Sequence, residues 1–278
     1  LEIREANFQP ATNYDALHAM DYMVFGYLQM AQDPAAATVA AEAAKIQKVN
    51  VENLPAAYAL VAIPARYAIE RNDWQQASAL KLSPSELDWS KFPQAESVLV
   101  FARALGAARK GDVAAANRDL QRLTALKQGL IQTGNKYWAD QTNFQIKAVQ
   151  AWIARAEARY DHALALMREA ADGEDATDKH PVTPGNVIIS RDLLGEMLIE
   201  LGRPGEALRE FEQSLQREPR RFRALFGAAH AAELSGQRET ARSYYLKLSA
   251  LMPAEGSMRS EVMHARRFLN DLKMQQRR

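Results

Sequence analysis

The sequence predicts an all-α chain: a solenoid of about six antiparallel helix pairs followed by a C-terminal capping helix. Three observations predict it. First, residues 193–219, LLGEMLIELGRPGEALREFEQSLQREP, repeat 34 residues downstream, so that Gly202 maps onto Gly236, Ala207 onto Ala241, Phe211 onto Tyr245 and Pro219 onto Pro253. Second, turn signals recur at positions 32, 72, 111, 158, 202 and 236, with spacings of 40, 39, 47, 44 and 34 residues. Third, 278 residues with 47% hydrophobic content and no excess of glycine or proline can bury a large core.

The elements follow in order. AQDPAAATVAAEA sets Asp33 as an N-cap before Pro34, ERNDWQQASAL uses Asp73 and Ala77, and ARKGDVAAANRDL uses Gly111, Asp112 and Ala116. ARAEARYDHALALMREA places Asp161 and Ala163 at a fourth turn. Residues 1–172 therefore read as four irregular helix pairs with longer helices or loops. Pro64 falls inside a helical run, where it frees the carbonyl of Leu60 and bends the axis. GEDATDKHPVTPGN, residues 173–186, combines prolines, glycines and acids and reads as a long loop. Residues 187–254 form two better pairs. In these, Leu194-Gly195 and Ala228-Ala229 let the second helix approach, and Gly202 and Gly236 end the first helix in the left-handed conformation. Pro204 suits a first helical turn. Ala207 and Ala241 mark tight crossings, Phe211 and Tyr245 fill the space between hairpins, and Pro219 and Pro253 stop the second helices. Residues 255–278 hold the amphipathic cap, Ser257 to Lys273, and a tail.

In this pattern residues 188–253 resemble the tetratricopeptide repeat family, which implies a right-handed superhelix with the first helices on the concave side. Arg191 and Leu225 stand where the family usually has tryptophan, and Leu198 and Ala232 where it has tyrosine. The stretches ALHAMDYMVFGYLQMAQD, AIPARYAIERNDW, DKHPVTPG and PRRFRALFGAAHAAELSG also resemble the C-terminal half of a group of uncharacterised bacterial tetratricopeptide proteins. That group carries no activity to transfer.

Composition narrows function. Thirty-five basic against 34 acidic side chains leave a charge of +1, without a global field for nucleic acid or an anionic bilayer. No nucleic-acid partner is expected. Cysteine is absent, which removes disulfides, thiolate nucleophiles and thiolate metal ligands. The longest uncharged run, Leu54 to Ala65, is too short to span a bilayer, so no membrane insertion is expected. Because the chain starts at Leu1 rather than Met, an upstream stretch is expected, whether a leader peptide, a further domain or other sequence. Both cytoplasmic and exported locations stay open.

No HExxH, GxGxxG, P-loop or GxSxG signature is present, and no enzyme activity or cofactor is expected. The histidines at 18, 162, 180, 230 and 264 never pair at i, i+4, so no metal site is expected. Asp172, Glu174, Asp175 and Asp178 read as a solvated acidic loop, because their spacing fails the EF-hand pattern. Arg217, Arg220, Arg221 and Arg223 interleave with Glu218 at a repeat junction rather than forming a phosphate-binding stripe.

The resemblance also implies which side chains line the concave face. By unit these are Tyr22 and Gln29, then Arg66 and Glu70, then Phe101 and Arg109, then Trp152 and Arg155. Asp192, Glu196 and Glu200 follow, and Phe226, His230 and Glu233 close the series. Aromatics and arginines dominate one part of this face and carboxylates another, a pattern suited to holding a charged peptide or protein segment end to end. This non-catalytic scaffold is the favoured expectation. Two others stand beside it: a superhelix closed over a small ligand, with the 173–186 loop as a cap and Lys179 and His180 pointing inward, and an enzyme using Asp192 and Glu196 side by side on one helix face.

Overall fold

The structure, a computed structural model, describes residues 13–181, 183–252 and 257–275. Among these the chain is helical throughout, with no β-strand. The first pair is α1 (Tyr14–Gln29) with α2 (Asp33–Ala43), and the second α3 (Leu54–Glu70) with α4 (Trp74–Ser78). A 3-10 turn, Trp89–Lys91, leads into α5 (Pro93–Arg109) and α6 (Val113–Gln132). Then come α7 (Lys136–Ala156) with α8 (Tyr160–Asp175), α9 (Ser190–Glu200) with α10 (Pro204–Arg217), α11 (Phe222–Leu234) with α12 (Arg238–Ser249), and the C-terminal α13 (Ser260–Gln275).

Each pair turns on the same local device. Ala31, Asn72, Gly111, Ala158, Gly202 and Gly236 all have positive φ, between 53° and 81°. One residue further on, the N–H of Gln32, Asp73, Asp112, Arg159, Arg203 or Gln237 donates to the carbonyl five residues back, satisfying an orphan acceptor at the helix end. Five positions after each left-handed residue stands an alanine: Ala36, Ala77, Ala116, Ala163, Ala207 and Ala241, every one fully buried. The missing bulk there lets the paired helices cross closely. Asp73 and Asp112 cap α4 and α6 as expected, accepting from Gln76 N and Ala115 N. Asp33 does not cap α2; Gln32 holds that position, and Asp33 serves Arg259 instead.

Phe211 lies fully buried between α9 and α11, where glycines make room for its ring. A Cβ on Gly195 would come within 2.6 Å of that ring, and one on Gly227 closer still. Pro64 is accommodated inside α3, which continues to Glu70. Pro253, expected to end the last paired helix, lies outside the described residues.

Two segments depart from expectation. The second helix of the second pair is only five residues long, and residues 79–92 are almost entirely non-helical. The acidic stretch is not wholly loop either, since α8 continues to Asp175 and the connection runs over residues 176–189. Gly173 is a helical residue packed against the Phe144 ring rather than a turn glycine. Glu174 is half-buried and accepts from Ser190 N at 3.0 Å and Ser190 Oγ at 2.8 Å, tying the end of α8 to the start of α9.

Helices α1, α3, α5 and α7 pack side by side in that order, and α11 returns to touch α1. The two ends of the chain therefore meet. Their meeting positions the site.

Candidate functional site

The interior formed by the first helices is filled with paired charges. Arg66, from α3, has no exposed surface; its Nε donates to Asp21 Oδ1 at 3.3 Å, and its Nη1 and Nη2 donate to the carbonyls of Asn186 and Gly185 at 3.1 Å each. Glu70, one turn further along, accepts from Arg221 Nη2 at 3.0 Å and from Gln29 Nε2 at 3.3 Å, while Gln29 Oε1 accepts from Phe222 N. Arg223 donates to Asn72 Oδ1, to the Ile69 carbonyl and to Glu196. Arg109 stacks between the rings of Trp152 and Trp74, 3.9 and 4.6 Å from their centroids, and pairs with Glu200 at 3.1 Å and Glu196 at 3.4 Å. Arg155 completes the set on Glu200 at 2.7 Å.

Several of the residues expected to line an open concave groove are instead buried in a charged and aromatic network. Gln29, Arg66, Glu70, Phe101, Trp152 and Asp192 are all buried. Tyr22 is the exception in direction: it is 40% exposed and packs edge-on against His18. Arg155 keeps a partly exposed side chain. Glu233 accepts from Tyr245 Oη and contacts His264 Nε2 at 2.7 Å, while His264 stacks on His230.

The 176–189 connection plugs one end of this interior, though not through the side chains expected. Lys179 is exposed and donates back to the Thr183 carbonyl, and His180 packs on Tyr137 and Trp138. The segment that enters is Thr183 with Gly185 to Ile188, held by Arg66 through two backbone carbonyls. Carbonyls suit this role because a buried guanidinium needs acceptors for all its donors.

At the other end a half-open cavity of about 200 Å³ remains between α3, α5, α9 and α11. Glu70, Arg109, Glu196, Glu200, Phe226 and His230 line it, joined by Arg223, Asn72 and Glu261. Six of the residues expected on the concave face thus converge on one small space.

Electrostatics differ sharply between neighbouring carboxylates. Burial pushes Glu70 up, but the guanidiniums of Arg221 and Arg223 outweigh it and hold the carboxyl below its usual range. At Asp21 burial outweighs Arg66 and the smaller contribution of His18, so its pKa rises. Asp192 is pushed up to about 7, chiefly by burial and in lesser part by the Glu70 charge. Its neighbour at i+4 is not the cause. Burial likewise lowers the pKa of His230, with the adjacent His264 adding to it.

Sequence reasoning misassigned the arginine and acidic clusters. Arg221 and Arg223 are internal counter-ions of Glu70 and Glu196, while Arg217 reaches the Asp175 and Thr177 carbonyls. Asp172, Asp175 and Glu210 together surround Arg191, in 2.5–2.6 Å ion pairs, at the position where the resemblance leads one to expect tryptophan. The signal was present in the matched numbers of acids and bases, but pairing them across 150 residues requires the fold. Among the described residues no group of three or more histidines and carboxylates is arranged to hold a metal ion, and no helix is long and apolar enough to cross a membrane. No protein-family model and no curated protein matches this sequence, so any assignment of function starts from the site itself.

Proposed function

We propose that this chain is a non-catalytic binding module: a tightly wound right-handed solenoid of tetratricopeptide-like helix pairs that engages a protein or peptide segment at the half-open cavity. The recurring left-handed turns and the alanine five residues after each support the repeat reading. One observation carries the functional reading, namely the convergence of Glu70, Arg109, Glu196, Glu200, Phe226 and His230 on the cavity. A segment lying the full length of the inner face would have to displace the buried ion pairs, whereas a side chain inserted at this mouth displaces none. The half-open shape of the cavity also admits a second reading, in which a free molecule small enough for about 200 Å³ is the ligand.

Native mass spectrometry of the chain purified from its own cell separates the two. Added mass that resolves as polypeptide on denaturation supports the segment reading, and added mass below a few hundred daltons supports the small-ligand reading. Replacing Phe226 and Glu200 with alanine is expected to abolish either adduct while leaving helical content unchanged. An adduct that survives both substitutions removes the cavity from the site.

A further inference from the structure

The chemistry of the cavity wall points to one kind of occupant. Its charged lining comprises the carboxylates of Glu70, Glu196, Glu200 and Glu261 against the guanidiniums of Arg109 and Arg223, an excess of acid over base. Arg155 and Arg221 contact Glu200 and Glu70 from outside that lining, through one oxygen of each. Two of the carboxylate oxygens make no hydrogen bond and only loose ion pairs: Glu70 Oε2 faces Arg223 Nε at 3.8 Å, and Glu196 Oε2 faces Arg109 Nη1 at 3.4 Å.

The arginines also carry nitrogens without hydrogen-bond partners, Arg109 Nη1 and Arg223 Nε, so an anion has to be weighed too. It is disfavoured on two grounds. The Arg109 guanidinium lies against two tryptophan rings, Trp74 and Trp152, and pairs with Glu196 and Glu200. Arg223 is likewise enclosed by Glu196, the Ile69 carbonyl and Glu70, the last at 3.8 Å. An anion would have to pull these cations from carboxylates and then sit among four negative groups. A cation needs no such exchange, because a carboxylate offers about four acceptor sites and can be shared between two donors. Phe222 and Phe226 add aromatic faces to the wall, which also favour a cation.

We propose that the cavity takes a single basic group, a guanidinium or primary ammonium, held by the carboxylates of Glu200 and Glu261 at the mouth with those of Glu70 and Glu196 behind them. This rests on the reading that the cavity is the binding site, and names the feature by which a partner segment is recognised. The cavity is smaller than the roughly 300–1,000 Å³ of a drug-sized site, in keeping with one long side chain.

Titration by calorimetry and tryptophan emission tests it, since Trp74 and Trp152 flank Arg109 at the wall. The probes are a capped Gly-Arg-Gly peptide, arginine amide, and capped Gly-Glu-Gly and Gly-Leu-Gly peptides. The capped arginine peptide is expected to bind and the glutamate and leucine peptides are not. The double substitution Glu200→Gln, Glu261→Gln is expected to weaken binding about tenfold with helical content retained, the loss of the Glu200 pairs with Arg109 and Arg155 showing as a modest drop in unfolding stability. Arginine amide binding as tightly as the peptide would support the same chemistry with a free cation as its source. Binding of the glutamate or leucine peptide, weakened by Phe226→Ala, would overturn the charge assignment while keeping the cavity as the site. Silence from every probe would overturn both.

Discussion

Removing the carboxylate of Glu70 leaves Arg221 and Arg223, both buried, without their shared counter-ion. A buried charge left unpaired in this way costs about 3–5 kcal/mol, so Glu70→Ala is expected to lower unfolding stability by that amount in urea. A loss below about 1 kcal/mol would mean that the arginines find other acceptors. Other acids act in the opposite sense. Asp192 and Glu174 sit near 7 in the folded chain against ordinary values of 3.8 and 4.5, so the native state holds their protons where the unfolded chain releases them. Their contribution to stability is complete below those ordinary values and is lost as pH rises toward about 7. Glu70, held low, contributes above 4.5 and loses its contribution on acidification through its folded pKa. Asp192→Asn is therefore expected to flatten the decline in stability between about pH 4 and 7, as read by thermal unfolding across that range. An unchanged slope would place the titrating burden on Glu174 and Asp21 instead. The i, i+4 spacing of Asp192 and Glu196 was visible in the sequence, but burial, the main source of the shift, was not.

The helical turn is the element that the sequence states most clearly. Its signature of a left-handed residue and an alanine five positions later depends only on local sterics, so it is legible without knowledge of the fold. Three of these turns put a non-glycine residue in the left-handed region, and Ala158, with φ of 59°, is solvent-exposed. Ala158→Gly relieves that strain without losing a packed methyl and is expected to raise stability by about 0.5–1 kcal/mol in denaturant unfolding. The converse applies between hairpins. Gly227→Ala drives a Cβ into the Phe211 ring, and the overpacking is expected to cost about 1–3 kcal/mol. Pairing it with Phe211→Leu should recover part of the loss; no recovery would place the clash elsewhere. The extension of α8 through Gly173 was not legible, because it follows from contacts with residues outside the segment; the shortness of α4 was not legible either. Gly173 packs on Phe144, and Glu174 reaches Ser190.

At the scale of the whole molecule, the chain ends are joined largely through polar contacts. Arg259 grips Asp33 through both carboxylate oxygens at 2.8 and 2.9 Å, and Asn72 donates to Glu261 at 3.0 Å. Together with the Glu70 and Gln29 contacts these span 151 to 226 positions of sequence. Arg259→Gln is expected to loosen this closure, seen as faster amide exchange in α1 and α11 and a larger radius of gyration in solution scattering. Unchanged exchange would show that α1 and α11 hold without it. The sequence by itself determined the helices, their turns and the small residues at their crossings, since these answer to backbone sterics and periodicity within a few residues. Only the tertiary structure decided that the inner face is closed rather than open, because closure depends on which arginine meets which carboxylate across the ring. Charges of matched number carry no local record of their partners, and the partners arranged here leave one small acidic cavity in place of a continuous groove.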